Sequence, residues 1–172
     1  MLRNILKFGT FSGVIVATLM VVTKMVTNFN MAYGELVGYS TMVAAFSMIF
    51  VGIKKFRDSR TDKKATFLQS LLIGLGISLI ATIFYAATWG FIDGFSGGEF
   101  LDQYASAQLT ELKENGATAE EIKATEAQID YYRELYKNPI TKMLITAVEI
   151  LPVGIIVSLI SALIFYIRDK RQ

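Results

Sequence analysis

The chain has 172 residues, 53% of them apolar, which is too hydrophobic for an ordinary water-soluble domain of this length and points to the bilayer as solvent. It contains no cysteine and no histidine, so disulfides, thiolate nucleophiles, histidine bases and Cys or His metal sites are excluded together. The net charge of +2 becomes informative only when it is divided along the chain.

A membrane-spanning helix needs about 20 mostly apolar residues, and four stretches qualify, at about 8–27, 36–53, 67–92 and 143–167. The first follows Arg3 and Lys7 as the core of a signal peptide would. No small-x-small cleavage site follows it in "MVVTKMVTNFNMAYG", so it is expected to stay as a span. It carries Gly9, Gly13 and Ala17 at four-residue spacing.

The second span ends in "KKFRDSRTDKK", inside a loop over 54–66 with six bases against only Asp58 and Asp62, which should hold it in the cytoplasm. Adding Arg3, Lys7, Arg168, Lys170 and Arg171 puts 11 of the 17 bases on one side with three acids, Asp169 being the third. The other six bases share their side with twelve acids, Glu35 and Glu149 among them. Both termini are therefore expected inside. Tyr33, Tyr39, Tyr85 and Trp89 fall near outer span ends and Phe50, Phe56 and Tyr166 near inner ones, as interfacial aromatics do.

The third span places Ser70, Gly74, Ser78, Thr82, Ala86 and Gly90 at strict four-residue intervals, read as one continuous small face; the fourth has Gly154, Ser158 and Ala162. Small residues let helix backbones approach closely, a main source of association in lipid. The hydroxyls of Ser78 and Thr82 can bond their own i−4 carbonyls. A compact bundle is expected in preference to a Ser/Thr-lined solute path, because close approach and a central pore pull in opposite directions.

Residues 93–142 form the one sizeable region outside the spans. "DGFSGG" is expected to break the third helix. Leu101, Tyr104, Ala105, Leu109 and Leu112 recur at helical spacing, Asn115 and Gly116 read as a stop, and Thr118 with Glu121 reads as a capping box. Ile122, Thr125, Ile129, Tyr132 and Tyr136 continue the pattern up to "KNP", which gives a helical hairpin. From Glu99 to Lys137 it holds nine acids and four bases, an acidic outer surface over apolar seams. Tyr131, Tyr132 and Tyr136 are a candidate partner surface, the alternative being that they pack at the wet edge of the bundle.

In "AVEILPVG" a carboxylate, Glu149, and a proline, Pro152, sit inside the fourth span. An ionisable residue in a span is by default a candidate functional site. Glu149 lies about 9 Å outward of the span's middle, so its carboxylate need climb only some 6 Å to reach water. It points away from Gly154 and Ser158. Pro152 removes the hydrogen bond to the Val148 carbonyl beside it. Lys24, near the outer end of span one, is the preferred charge partner and Lys142 the second choice; a structural pair and a titrating or ligand-binding group both remain open.

The stretches "FGTFSGVIVATL", "GIKKFRD", "FLQSLLIGLGISLIATI", "WGFIDGF" and "IVSLISALIFYIRDK" together resemble an uncharacterised bacterial membrane family, domain of unknown function 4199, found mostly in Bacteroidota. The resemblance implies four spans with a polar segment before the last and carries no catalytic signature. The chain departs from the pattern at "FIDGF", where a proline often follows the aspartate.

The expected fold is an all-α integral membrane protein, one membrane domain over 1–172: a four-transmembrane-helix bundle with an extracytoplasmic helical hairpin between spans three and four. The expected role is a small multi-pass protein of the bacterial cytoplasmic (inner) membrane acting as a structural, interaction or regulatory module. A small transporter or channel using Glu149 is the alternative. No nucleophile, metal, P-loop or dinucleotide motif is present, so no enzyme, cofactor or nucleic-acid role is expected. The expected partners are the bilayer and a protein at the hairpin, and association of two copies through spare small faces is left open.

Overall fold

The computed structural model describes residues 1–27, 31–95, 97 and 99–170, of which 26–27 and 31–36 are described in backbone only. The expectations for Tyr33, Glu35 and Arg171 lie outside the described side chains. Six helices follow one another: α1 (Leu2–Thr27), α2 (Met31–Asp58), α3 (Phe67–Phe95), α4 (Glu99–Glu114), α5 (Ala119–Tyr136) and α6 (Pro139–Lys170). Four of them, α1, α2, α3 and α6, are long and apolar enough to cross a membrane.

Each long helix outruns its apolar core. The expected break falls within "DGFSGG": α3 runs to Phe95 and α4 begins at Glu99. Helix α6 begins at Pro139, four residues before the expected start. The side-chain oxygen of Asn138 accepts from the backbone amides of Ile140 (2.9 Å) and Thr141 (3.4 Å), and a proline at the first helical position is already set for the helix. Pro152 sits inside α6, which continues through it.

The small α4–α5 unit is bounded by local chemistry. Gly116, at φ +73, ends α4, with Ala117 N–H donating to the Leu112 carbonyl at 3.0 Å, a left-handed stop that suits glycine. The expected capping box then opens α5: Thr118 accepts from Glu121 N–H, and the Glu121 carboxylate accepts from Thr118 N–H. Those hydrogen bonds hold the Glu121 carboxyl below its ordinary range. Arg133 near the end of α5 donates to Asp102 near the start of α4 at 2.8 Å, so the two helices run antiparallel. Only Ala105 of α4 and Ile129 of α5 are buried, a much thinner seam than the two apolar stripes suggested.

In the bundle, α3 packs against α1 on one side and α6 on the other, while α2 touches all three. Val16, Phe46, Ile49, Ile73, Ile77, Ile150 and Phe165 are fully buried and fill the centre. The α3–α6 contact is reciprocal. A Cβ placed on Gly74 would stand 2.7 Å from the Ser158 Cβ, and one on Gly154 would stand 2.7 Å from the Ser78 Oγ. The two hydroxyls lie 3.3 Å apart and each donates to its own i−4 carbonyl, that of Gly74 or Gly154. Both serine hydroxyls are thereby satisfied inside this close approach, whereas those of Ser70 and Thr82 are buried without a hydrogen-bond partner among the described residues, Thr82 against the expected i−4 bond.

Gly9 and Gly13 of α1 face bulk instead of other small residues. Cβ atoms there would meet the side chains of Ile80 at 2.7 Å and Phe84 at 2.5 Å. The expected small face of α3 is buried from Ser70 through Gly74, Ser78 and Thr82 to Ala86 and departs only at Gly90. A residue every four positions advances by about 40° per step around a helix of 3.6 residues per turn, so a strict four-residue line spirals off any one neighbour. Thr82 and Ala86 stay buried, but a Cβ on Gly90 would meet nothing within 4 Å. Toward that end of α3 the larger Trp89 and Asp93 are buried as well.

Gly74→Ala should therefore cost about 1–3 kcal/mol by overpacking against Ser158, whereas Gly90→Ala should leave stability nearly unchanged. Reversible unfolding in mixed detergent micelles compares the two; equal effects would show that the α3–α6 approach is looser than described.

Candidate functional site

Charged groups gather at both ends of the α3–α6 pair. At the end carrying α4 and α5, three α3 residues one turn apart, Tyr85, Trp89 and Asp93, lie opposite Glu149, Thr146 and Lys142 of antiparallel α6. The Lys142 ammonium pairs with Asp93 Oδ2. Asp93 is only 3% exposed, and its second oxygen, Oδ1, is buried without a hydrogen-bond partner. Thr146 Oγ1 donates to the Lys142 carbonyl at 2.9 Å, which leaves the ammonium as the group aimed at Asp93.

Tyr136, at the end of α5, closes over this pair. Its ring lies 5.6 Å from the Lys142 ammonium, within cation–π range. Burial first, and then the charges of Glu149 and Asp93, push its phenol above the ordinary value, against smaller opposing hydrogen bonds from Trp89 and Thr146. It is a neutral hydroxyl at any physiological pH. Trp89 in turn meets Phe100 of α4 edge-on, ring centroids 4.6 Å apart. The ends of α4 and α5 are thus seated on α3 and α6 by aromatic contacts around one ion pair.

The expected site residues are brought together only in part. Glu149 forms no ion pair with Lys24 or Lys142 among the described residues, because Lys142, the second choice, is committed to Asp93. The Glu149 side chain is exposed on the flank of the bundle, as its direction away from Gly154 and Ser158 requires. Its carboxyl lies near the Tyr85 and Tyr136 hydroxyls. Pro152 lies about one turn further in on α6. The tyrosine trio divides: Tyr131 is 62% exposed and Tyr132 37%, their rings 6.1 Å apart, while Tyr136 turns inward.

The opposite end holds a cluster that a count of charges did not reveal. Arg57 of α2 and Asp169 of α6 are both buried and joined by Nε–H donating to Oδ1 at 2.6 Å. Asp169 Oδ2 accepts from Ala65 N–H at 3.0 Å, and the guanidinium lies 6.0 Å from the Phe165 ring. One carboxylate therefore ties α2, the loop before α3 and the end of α6 together. Sequence reading took both residues as topogenic charges. The available signal was an opposite-sign pair at equal depth on two spans, and the same signal would have found Asp93 and Lys142. Among the described residues no group of three acids could hold a metal.

Removing one member of a buried ion pair strands the other. Lys142→Met should destabilise the protein by about 3 kcal/mol or more and speed amide exchange in α5, and adding Asp93→Leu should recover most of the loss. Unfolding midpoints and exchange rates of the single and double variants check this; a single variant as stable as the parent would show that the pair contributes nothing.

Comparison with known proteins bears out the resemblance drawn from the span sequences. Residues 7–166 match the family described as protein of unknown function (DUF4199). No curated protein and no solved structure matches the chain. With the match running across four apolar helices and the α4–α5 segment between them, the chain belongs to the DUF4199 family.

Proposed function

We propose that this is a small multi-pass protein of the bacterial cytoplasmic membrane that serves as an interaction module, with its basic end in the cytoplasm and α4–α5 forming an extracytoplasmic helical hairpin. The orientation rests on the charge division: the loop and termini at one end carry 11 bases and three acids. A role without catalysis rests on the absence of His and Cys and of any recognisable nucleophile constellation in the sequence.

The observation that carries the proposal is how the hairpin is held and what it presents. Tyr136 and the Asp93–Lys142 pair fix the end of α5 against α3 and α6, while one turn away Tyr131 and Tyr132 stand exposed as an edge-on ring pair. Tyrosine offers a large, rigid contact area with a hydrogen-bonding tip and little entropy to lose, which suits it to a protein interface. Arg133 beside them is braced by both Asp102 and Asp130, so the surface around the tyrosines is ordered before a partner arrives.

Transport by Glu149 is the second reading, favoured by the proximity of the carboxylate to Tyr85 and Tyr136. The filled centre weighs against it, because Phe46, Ile49, Ile73 and Ile77 occupy the axis that a solute would follow.

A photo-crosslinking residue at position 131 in cells should trap one discrete protein. Tyr131→Ala with Tyr132→Ala should lose capture, monitored at a neighbouring crosslinking position, without changing membrane insertion. In proteoliposomes, the wild type and Glu149→Gln should show the same background proton and ion flux. No discrete adduct together with flux abolished by Glu149→Gln would replace the interaction reading with the transport one.

A further inference from the structure

At the basic end of the bundle, acids and bases are used differently. Each of the three acids there is bound to an arginine: Asp169 and Asp58 to Arg57, at 2.6 and 3.4 Å, and Asp62 to Arg60 at 3.2 Å. The same carboxylates build the turn between α2 and α3, since Asp62 accepts from Lys64 N–H (3.2 Å) and Asp169 from Ala65 N–H (3.0 Å). Lys63 takes a left-handed conformation at φ 49 and donates its amide to the Arg60 carbonyl at 3.1 Å. The turn is stitched at every step. What it presents is lysine: Lys54, Lys55, Lys63 and Lys64 are all exposed, and among the described residues none is in an ion pair.

The position of these lysines decides which anion they suit. Val43, Ser47, Phe50 and Lys54 follow one exposed stripe of α2 at helical spacing, apolar except at Ser47 until Lys54 ends it. On α3, exposed Leu68 and Leu72 begin a matching stripe immediately after Lys63 and Lys64. The ammonium groups therefore stand where two hydrocarbon-facing surfaces stop, at the level of lipid headgroups. A soluble phosphate would use the charge and leave the adjoining apolar stripes without a role. A phospholipid uses both.

We propose that Lys54, Lys55, Lys63 and Lys64 form a binding site for the phosphate headgroup of an anionic phospholipid, with its acyl chains along the α2 and α3 stripes. The arginines and aspartates act as its scaffold. Because each acid is paired with an arginine, Asp169 in the interior and Asp58 and Asp62 at the surface, none is paired with a lysine. Because the turn is fixed, lipid binding does not have to order it first. The inference is independent of the hairpin's partner.

The chain holds no cysteine, so Ser59→Cys in the same turn carries a single fluorophore. The protein is reconstituted in phosphatidylcholine vesicles containing a small, equal fraction of nitroxide-labelled phosphatidylglycerol or phosphatidylcholine. At low salt, phosphatidylglycerol should quench several-fold more strongly, and the excess should collapse near 1 M salt as screening shortens to about 3 Å. Substituting the four lysines by glutamine should abolish the several-fold preference, so that the two lipids quench alike, with Trp89 emission at the opposite end unchanged as a folding control. If that variant does not fold, Lys63→Gln with Lys64→Gln, both in the turn, carries the same comparison. Equal quenching by the two lipids in the wild type overturns the proposal, as does a preference that survives in a folded variant. Loss of the preference to sub-millimolar inorganic phosphate would assign the lysines to a soluble anion and overturn the lipid site.

Discussion

The close approach of α3 and α6 sets one antiparallel register, and the two ends of the molecule follow from it. Gly74 stands against Ser158 and Gly154 against Ser78, each small residue receiving the other helix's serine. Carried along the pair in one direction, the same register puts Phe67 beside Tyr166, rings 6.1 Å apart, and the Ala65 amide on Asp169. Carried in the other direction, it puts Asp93 on Lys142. A slip of one helical turn, about 5.4 Å, would put Ser158 against Ser70 or Ser78 in place of Gly74 and separate both carboxylates from their partners. In lipid, where apolar surfaces gain little by meeting one another, shape and polar pairing carry this specificity.

The two buried ion pairs act through the penalty for misplacing them more than through their own attraction. Taking a carboxylate and an ammonium or guanidinium out of water costs several kcal/mol per ion, and mutual attraction offsets this only in good geometry. Arg57 and Asp169 meet that condition with a direct Nε–H bond, a backbone amide on the second oxygen and an aromatic ring beside the guanidinium. Asp93 meets it less completely, since one oxygen lacks a partner. The basic end is thus the fully satisfied clasp. The other end, where Tyr136 and Phe100 bring the flanking helices down onto the ion pair, is the less saturated one.

The spans were legible because bilayer thickness and composition act on every residue of a helix at once, and the loop charges needed only counting. The capping box of α5 was legible because its parts lie three residues apart. The packing face of α3 was legible up to Ala86, and only Gly90, where the 40° advance per step has accumulated, leaves it. Asp93 was passed over. Glu149 draws attention by its depth in an apolar run, yet it faces outward, whereas Asp93 sits among glycines and aromatics that resemble a helix exit. Which lysine meets which acid depends on inter-helix register, and no local pattern encodes that.

Charge is distributed along the bundle so that each end can do a different job. At the basic end the acids are paired with arginines, Asp169 in the interior and Asp58 and Asp62 at the surface, and the surplus lysines face outward. At the other end α4 and α5 wear their acids on the surface: Asp102, Asp130 and Glu134 are engaged by Arg133 and Lys137 in exposed pairs. Exposed pairs of that kind contribute little stability each. Their effect is to keep a thin helical pair soluble and oriented while Tyr136 and Lys142 hold it down. The fixed register of α3 and α6 makes both arrangements available to one short chain, because the pair that clamps one end is continuous through Gly74 and Gly154 with the pair that clamps the other.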